Sequence, residues 1–363
     1  MFLLFLLGIL FFAYWYWKKN TKLKSIEIPT SKKEFNDKAK TINPLKAEID
    51  WKHSKAHLEL LKDFHFGRDI RDYQNANYWK AILKESPLIT INKFISQGVL
   101  IPTTLNKKIE FHSTVNELKI MLRERGLKIS GRKNELIARL IENNEQEMDD
   151  LYRIYEMYSW SEDVSIIVQN YIEEQKNIKQ TTKNSVKKFL EKKDFKQAIK
   201  TVLEYESQDV FLQEPNKSMF NIRGDEEEIL SFIFEAIPPI FNNIQLNDIH
   251  FIRVCTGMMY FFGENTVRKL LPKDFINGSH FSNDVVCRMF LFNARNLQKL
   301  KEYKKFGLKE IKVLGTNDDL TCSECKKISG KTYLIDNAPQ FPYHACTCEM
   351  GCRCEPLPIT DYR

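Results

Sequence analysis

The chain has 363 residues and a formal net charge of +7 at pH 7. Hydrophobic residues make up 43% of it and aromatic residues 12%, which is enough to bury cores and excludes a globally disordered chain. Because domains usually contain about 100–150 residues, this length predicts two or three folded units. The excess of positive charge favours a polyanionic partner such as nucleic acid or an anionic membrane face.

Residues 2–17 form an uncharged apolar segment, FLLFLLGILFFAYWYW. A helix of this length, rising about 1.5 Å per residue, nearly crosses a hydrocarbon core of about 30 Å. Basic residues follow the segment instead of preceding it, which is typical of an anchor and not of a cleaved signal peptide. Since lysines mark the cytoplasmic end of a membrane helix, we expect residues 1–19 to be a single transmembrane helix that places the bulk of the chain in the cytoplasm. The alternative, a buried core element, is rarely apolar on every face.

Charge and periodicity divide the next part of the chain. Residues 20–44 are rich in Lys, Thr and Ser and contain two prolines, which predicts a charged linker. Residues 45–111 contain short helical patterns, at 52–61, 77–83 and 89–96.

The C-terminal half changes character at about residue 307. Residues 147–306 have apolar side chains at three- and four-residue spacing, which predicts a helical domain with helices at 149–158, 162–174, 185–205 and 225–235. Residues 307–363 have turn signals and β-branched runs instead, at 311–314 and 331–335, which predicts a separate small α+β tail. The predicted fold class is therefore mainly α.

Residues 113–143, STVNELKIMLRERGLKISGRKNELIARLIEN, have the pattern of two short helices joined by an extended link. Thr114 and Glu117 have the spacing of a capping box at the start of the first helix, with Ser113 as an alternative cap. Gly126 ends that helix, and the second helix begins after Gly131. The apolar residues on the facing sides are Val115, Leu118, Met121, Leu122, Leu136, Ile137, Leu140 and Ile141. A core this small is at the limit of independent stability.

The charge of this segment is one-sided. Between residues 114 and 141, seven basic side chains stand against three acidic ones. Any amphipathic helix pair with Lys and Arg outside is basic, so the charge alone does not decide the function. The start of the second helix favours a phosphate-containing partner, because free backbone N–H groups at a helix start bind phosphate.

The ordered run RGL-x-x-SG-x-K makes residues 112–146 resemble the SAP domain, a helix–extended–helix DNA-binding module. The residues that carry the resemblance are Leu118, Lys119, Leu122, Arg125, Gly126, Leu127, Ser130, Gly131, Lys133, Leu136, Arg139 and Leu140. The resemblance implies binding to double-stranded DNA, with the module as an accessory part of a larger protein. The predicted DNA-binding residues are Lys119, Arg125, Lys128, Ser130, Gly131, Arg132 and Lys133.

Six of the eight cysteines lie within the tail, between residues 322 and 354. Cys322 and Cys325 offer two thiolates on one turn, and four further cysteines with His344 follow about twenty residues later. In a reducing compartment disulfides are disfavoured, so the spacing predicts two ligand pairs closing on one tetrahedral zinc ion. We expect a structural site, because closed cysteine-rich sites leave no open position for catalysis.

The tail also resembles the C-terminal region of phage minor head (head-morphogenesis) proteins. The matching residues are Asp319, Cys322, Cys325, Gly330, Lys331, Pro342, His344, Cys352, Arg353 and Cys354. This chain departs from that pattern by the insertion of residues 346–351, which add two thiols. The resemblance favours Cys352 and Cys354 as the second pair, so the predicted zinc ligands are Cys322, Cys325, Cys352 and Cys354, with Cys346, Cys348 and His344 as alternatives.

The sequence contains no GxxxxGK[ST], GxGxxG, HExxH or GxSxG motif, and we therefore expect no enzymatic activity. The favoured function is a membrane-anchored SAP-domain protein that binds DNA or acts as a scaffold, with a structural zinc site and a helical body open to protein partners. One alternative is a phage- or prophage-related minor head or assembly protein. A third hypothesis is a metal-dependent nuclease.

Overall fold

Helices make up most of the part of the chain that the structure describes, as the sequence predicts. The computed structural model describes residues 50–211, 225–242, 246, 249–272, 275 and 281–359. Its helices are α1 (Lys55–Lys62), α2 (Asn77–Leu83), α3 (Pro87–Ser96), α4 (Leu105–His112), α5 (Val115–Glu124), α6 (Lys133–Asn143), α7 (Glu145–Tyr152), α8 (Glu162–Glu191), α9 (Phe195–Glu206), α10 (Glu226–Glu235), α11 (Ile249–Phe262), α12 (Val267–Leu270), α13 (Asn283–Lys305) and α14 (Ser323–Ile328). Its strands are β1 (Arg68–Asp69), β2 (Leu100–Pro102), β3 (Met157–Trp160), β4 (Glu310–Leu314), β5 (Thr332–Leu334) and β6 (Glu355–Pro358).

The N-terminal half contains an antiparallel sheet in the order β1–β3–β2. Within it Leu100 pairs with Trp160, and Pro102 pairs with Tyr158. Helices α4 to α7 lie in the chain between β2 and β3. The chain therefore leaves the sheet at the end of β2, forms these four helices and returns to the sheet in the neighbouring strand β3.

The sequence-based prediction of a helix over residues 149–158 is wrong at its C-terminal end. Helix α7 ends at Tyr152, and Met157–Trp160 form strand β3. Apolar residues at helical spacing run through this segment, but β3 pairs with two strands that are distant in sequence, and the indole N–H of Trp160 donates to the carbonyl oxygen of Leu61. Non-local pairing thus outweighs the local pattern.

Helix α8 has 30 residues and contributes to both halves of the described chain. Near its start the Tyr171 hydroxyl donates to Glu59 of α1 at 2.7 Å, and near its end Val186 and Leu190 join the main helical core with α9, α10, α11 and α13. The sequence predicts two helices, at 162–174 and 185–205. The polar residues between those ranges continue the helix because that stretch is mostly exposed, and the chain breaks instead at Lys193, whose φ is +57°.

The tail contains a second antiparallel sheet, in the order β5–β4–β6. Strands β4 and β5 correspond to the two strands that the sequence predicts. The tail packs on α13, where the Asn293 side-chain amide donates to the carbonyl oxygen of Phe341 at 2.8 Å and Lys299 pairs with Glu355 at 2.6 Å. The described residues from 50 onward group as one compact unit, and the domain boundaries that the sequence predicts within it stay predictions.

The predicted localisation requires a correction. Across the residues that the structure describes, no helix combines the length and the apolar composition that crossing a membrane requires. The predicted anchor at 1–19 and the predicted linker at 20–44 lie outside the described residues. The prediction of a single-pass membrane protein is therefore wrong for the described chain, and we do not retain it.

Candidate metal centre and candidate nucleic-acid interface

The six tail cysteines come from three short segments that the sheet brings together. Cys322 and Cys325 follow β4 at the start of α14, and Cys352 and Cys354 immediately precede β6. The pairing of Leu314 with Glu355 places these two segments at the same end of the sheet. The loop between β5 and β6 supplies the remaining two cysteines to the same cluster.

The sulfur atoms form two groups that share one residue. Those of Cys322, Cys325, Cys346 and Cys348 all lie within 4.8 Å of one another, and Cys325, Cys352 and Cys354 form a second group by the same measure. The cysteines are thus arranged so that they could hold a metal ion. The four predicted ligands are divided between the groups, and Cys346 and Cys348, predicted only as alternatives, belong to the first. His344, the other alternative, is exposed and lies outside both groups.

Backbone N–H groups point at the sulfurs of the first group. The Cys322 N–H donates to Cys348 Sγ at 3.3 Å, and the Thr347 N–H donates to Cys322 Sγ at 3.4 Å. Burial opposes ionisation of the Cys322 thiol, but the N–H groups of Thr347 and Cys325 outweigh it and lower the pKa of Cys322 to about 6. The thiolate is the form of cysteine that binds metal, so these donors favour Cys322 as a metal ligand.

Cys352 has a similar environment in the second group. The thiols of Cys325, Cys346 and Cys354 hydrogen-bond to its sulfur and lower the pKa of Cys352 well below its usual range. The backbone N–H of Tyr343 donates to the same sulfur at 3.2 Å. Every cysteine that the structure describes is a free thiol and not part of a disulfide.

A bidentate ion pair that the sequence analysis missed holds the two cysteine segments together. Arg353 lies between Cys352 and Cys354 in the chain, and its two terminal nitrogens contact Asp318, in the loop before α14, at 2.6 and 2.7 Å. Hydrogen bonds from Arg353 keep the pKa of Asp318 well below its usual range. No local pattern indicates this pair, because its members are 35 residues apart.

The two-helix module of α5 and α6 begins as the sequence predicts. The Glu117 N–H donates to Thr114 Oγ1 at 3.3 Å, and the Glu117 carboxylate accepts from the Thr114 N–H at 2.7 Å. The predicted capping box is confirmed. The alternative cap, Ser113, is buried and hydrogen-bonds to the Tyr152 hydroxyl.

Flanking helices complete the core of this module. Five apolar residues of α5 and α6 are fully buried in it: Leu118, Leu122, Leu136, Ile137 and Leu140. Ile109 of α4 and Met148 and Tyr152 of α7 are buried in the same cluster. The folded module therefore extends beyond the two helices on both sides.

The link between the two helices is held by side chains of α6. Gly131 has a φ of +134°, and a Cβ atom there would lie 2.5 Å from Glu135 Oε2. The Glu135 carboxylate instead accepts from the Arg132 N–H at 3.2 Å. Arg139 donates to the carbonyl oxygens of Lys128 and Ser130. These contacts hold the link in one conformation, and they occupy one of the backbone donors that the sequence analysis assigned to phosphate.

Comparison with known families identifies the module. Residues 113–145 match the family model of the SAP domain. The predicted resemblance is confirmed, and the match agrees closely with the predicted range 112–146. SAP domains generally bind nucleic acid, and the match suggests the same role for this segment. The chain matches no curated protein and no solved structure, and the resemblance of its tail to phage minor head proteins stays a prediction.

Four of the predicted DNA-binding residues of the SAP domain are exposed and consecutive or nearly so: Lys128, Ser130, Gly131 and Arg132. Lys119 is half-buried on α5. Arg125 donates to the Met121 carbonyl oxygen at 2.8 Å and pairs with Glu147, and Lys133 donates to the carbonyl oxygen of Glu110. The link is therefore the part of the predicted site whose basic side chains are best placed to meet a ligand.

Proposed function

We infer that this chain is a double-stranded DNA-binding protein that acts as a scaffold and not as an enzyme. The SAP-domain match at residues 113–145 is the observation that carries this proposal. The basic link within the match supports it, because Lys128 and Arg132 are exposed on either side of a glycine turn. Duplex DNA presents a dense array of phosphates, and exposed Lys and Arg side chains at a fixed backbone are suited to contact them.

The link favours phosphate contacts over a particular base sequence. Its backbone conformation is set by Gly131 and by the contacts of Arg139, so its basic side chains start from defined positions. Phosphate contacts fix the orientation of a protein on a duplex and carry no sequence information directly. We therefore expect binding that depends strongly on salt and weakly on base sequence.

Changing Lys128 and Arg132 together to Ala should weaken DNA binding without unfolding the protein. Each lost phosphate contact lowers the slope of log affinity against log salt by about 0.9, so the double variant should lose about 1.8. Fluorescence anisotropy with a labelled duplex, measured over a series of salt concentrations, gives the slope. Replacing Lys196 and Lys200 of α9 with Ala is the matched control, because it removes the same charge outside the SAP domain.

An equal reduction in both double variants would mean that net charge and not the link carries the binding. An unchanged slope in the link variant would remove the assignment of Lys128 and Arg132. Circular dichroism of each variant establishes that the fold is retained before the slopes are compared.

We further infer that the tail cysteines bind zinc and that the metal stabilises the tail. Sulfur donors favour soft or borderline metals such as zinc over magnesium or calcium, which prefer oxygen. Tetrahedral zinc with a complete set of thiolates is typical of structural sites. The buried sulfurs and the N–H groups directed at them support this role.

A further inference from the structure

The tail has more thiols than one metal ion can use. A tetrahedral zinc ion takes four ligands, whereas six cysteine sulfurs lie in the two groups described above. If Cys322, Cys325, Cys346 and Cys348 held a single ion, Cys352 and Cys354 would remain as buried thiols beside it. Both of those residues nevertheless approach Cys325, which already belongs to the first group.

Cys325 is the residue that belongs to both groups. Its sulfur lies 4.0 Å from the sulfur of Cys352. Cys322, Cys346 and Cys348 belong to the first group alone, and Cys352 and Cys354 belong to the second alone.

We propose that the tail holds two metal ions, which share the thiolate of Cys325. Cys322, Cys346 and Cys348 complete the coordination of the first ion, and Cys352 and Cys354 bind the second. Two tetrahedral ions require eight ligand positions, and the six thiolates fill seven of them when one binds both ions, so the second ion keeps one position for a ligand from outside the six cysteines. The inference rests on the metal binding proposed above and extends it to the number of ions and the role of each cysteine.

The sulfur separations agree with this arrangement. With zinc–sulfur bonds of about 2.3 Å, the sulfurs of a tetrahedral site lie roughly 3.8 Å apart. The sulfur atoms within each group lie within 4.8 Å of one another, and those of Cys325 and Cys352 are 4.0 Å apart. Small movements of the sulfur atoms would bring them to the tetrahedral separation. The side chains need only small rotations, and the backbone can keep its hydrogen bonds.

The surroundings of the cluster suit its charge. Six thiolates and two divalent cations leave a net negative charge, which is costly to bury without hydrogen-bond donors. N–H groups of the backbone donate to Cys322, Cys346, Cys348 and Cys352, each of which binds only one ion in this arrangement. Such donors around a metal site orient its ligands and stabilise their charge.

Metal content of the full chain tests the proposal. Native mass spectrometry of protein prepared with excess zinc and then desalted should find two zinc ions per chain. Cys354→Ser removes a ligand of the second ion alone and should lower the content from two to one. Cys255→Ala is the matched control, because Cys255 is buried in the helical core outside the cluster, and it should retain two ions.

Cobalt substitution tests the shared ligand in the unaltered protein, whether or not the serine variant folds. Two high-spin cobalt ions that share thiolates couple their spins antiferromagnetically, so the doubly loaded protein should give a much weaker paramagnetic resonance signal than two isolated cobalt sites. A full-strength signal from two bound ions would overturn the sharing of Cys325.

A single ion per chain in the presence of excess metal would also overturn the proposal while leaving the proposed zinc binding intact. The absence of any bound metal would overturn both. Unchanged metal content in Cys354→Ser would show that the second group does not bind an ion.

Discussion

Asp69 illustrates how one residue links the sheet to the SAP domain and its flanking helices. Its side chain is only 3% exposed, and its carboxylate accepts from Arg71 Nε at 2.9 Å and from the Arg71 backbone N–H at 3.0 Å. His112, the last residue of α4, lies 3.6 Å away. Burial raises the pKa of Asp69, but the hydrogen bonds from Arg71 outweigh burial and lower it below its usual value.

Asp69→Asn should destabilise the protein by about 1–3 kcal/mol at pH 7, the usual cost of disrupting a buried hydrogen-bonded group. Because the folded pKa lies below the unfolded value of about 3.9, the carboxylate contributes its full stability above that value. This contribution is lost as pH falls through the folded pKa. Urea unfolding should therefore separate wild type from variant at pH 7 and bring them closer below about pH 4.

Asp72→Asn is the matched control, because Asp72 lies in the same short turn with its side chain 46% exposed, in an ion pair with Arg68. Exposed ion pairs contribute little, so this variant should remain within about 1 kcal/mol of wild type. A constant difference between wild type and Asp69→Asn at every pH would contradict the role of the carboxylate charge.

At the scale of residues, local patterns were predictable and distant contacts were not. Thr114 and Glu117 form their capping box as expected because they are only three positions apart in the chain. The distribution of cysteines between two groups depends on the pairing of β4 with β6 and on the Asp318–Arg353 ion pair. Neither contact has a local sequence signal, so spacing alone could identify the cysteines but not their grouping.

The helices that flank the SAP domain are part of its fold. Ile109 and Met148 are fully buried against the residues of α5 and α6. A two-helix core alone is at the limit of independent stability, and each flanking residue adds apolar area. The unit that folds should therefore be longer than the segment that matches the family.

A fragment of residues 103–156 should unfold cooperatively on heating, whereas a fragment of residues 113–145 should be largely unfolded. Circular dichroism at 222 nm measures both. Within the longer fragment, Met148→Ala should cost about 2–5 kcal/mol, because it leaves a cavity in the shared core. Leu151→Ala, on the same helix but 48% exposed, is the control and should cost far less. Equal stability of the two fragments would mean that α4 and α7 contribute nothing to the module.

At the scale of elements, periodicity identified most helices and misplaced several of their boundaries. Asn77–Leu83 forms a helix over the predicted range because its pattern and its ends are local. The start of β3 and the continuity of α8 depend on partners far away in sequence. The predicted strands of the tail are correct because β-branched runs there are bounded by turn residues on both sides.

At the scale of the whole molecule, removal of the metal should unfold the tail and leave the rest of the protein folded. The tail core is largely made of cysteines and a few apolar residues, so its folding should depend on the metal, whereas the main helical core contains no tail cysteine. A chelator should therefore make residues 315–354 sensitive to protease and leave the helices upstream protected. Limited proteolysis followed by mass spectrometry locates the cuts, and adding zinc back should restore resistance. A tail that stays resistant after complete removal of metal would contradict its dependence on the ion.

The chain leaves the first sheet after Pro102 and returns to it at Met157, and these positions lie side by side. The whole intervening segment is thus, in topological terms, an enlarged hairpin loop. The entropy cost of closing such a loop rises only slowly with its length, so a short turn could replace the segment without altering the strand register. The SAP domain with its flanking helices is in this sense a separate insertion in the chain, which evolution or an engineer can remove or exchange. Its two points of attachment also prevent it from swinging on a single tether, so a duplex bound as proposed above would keep a defined direction relative to the body.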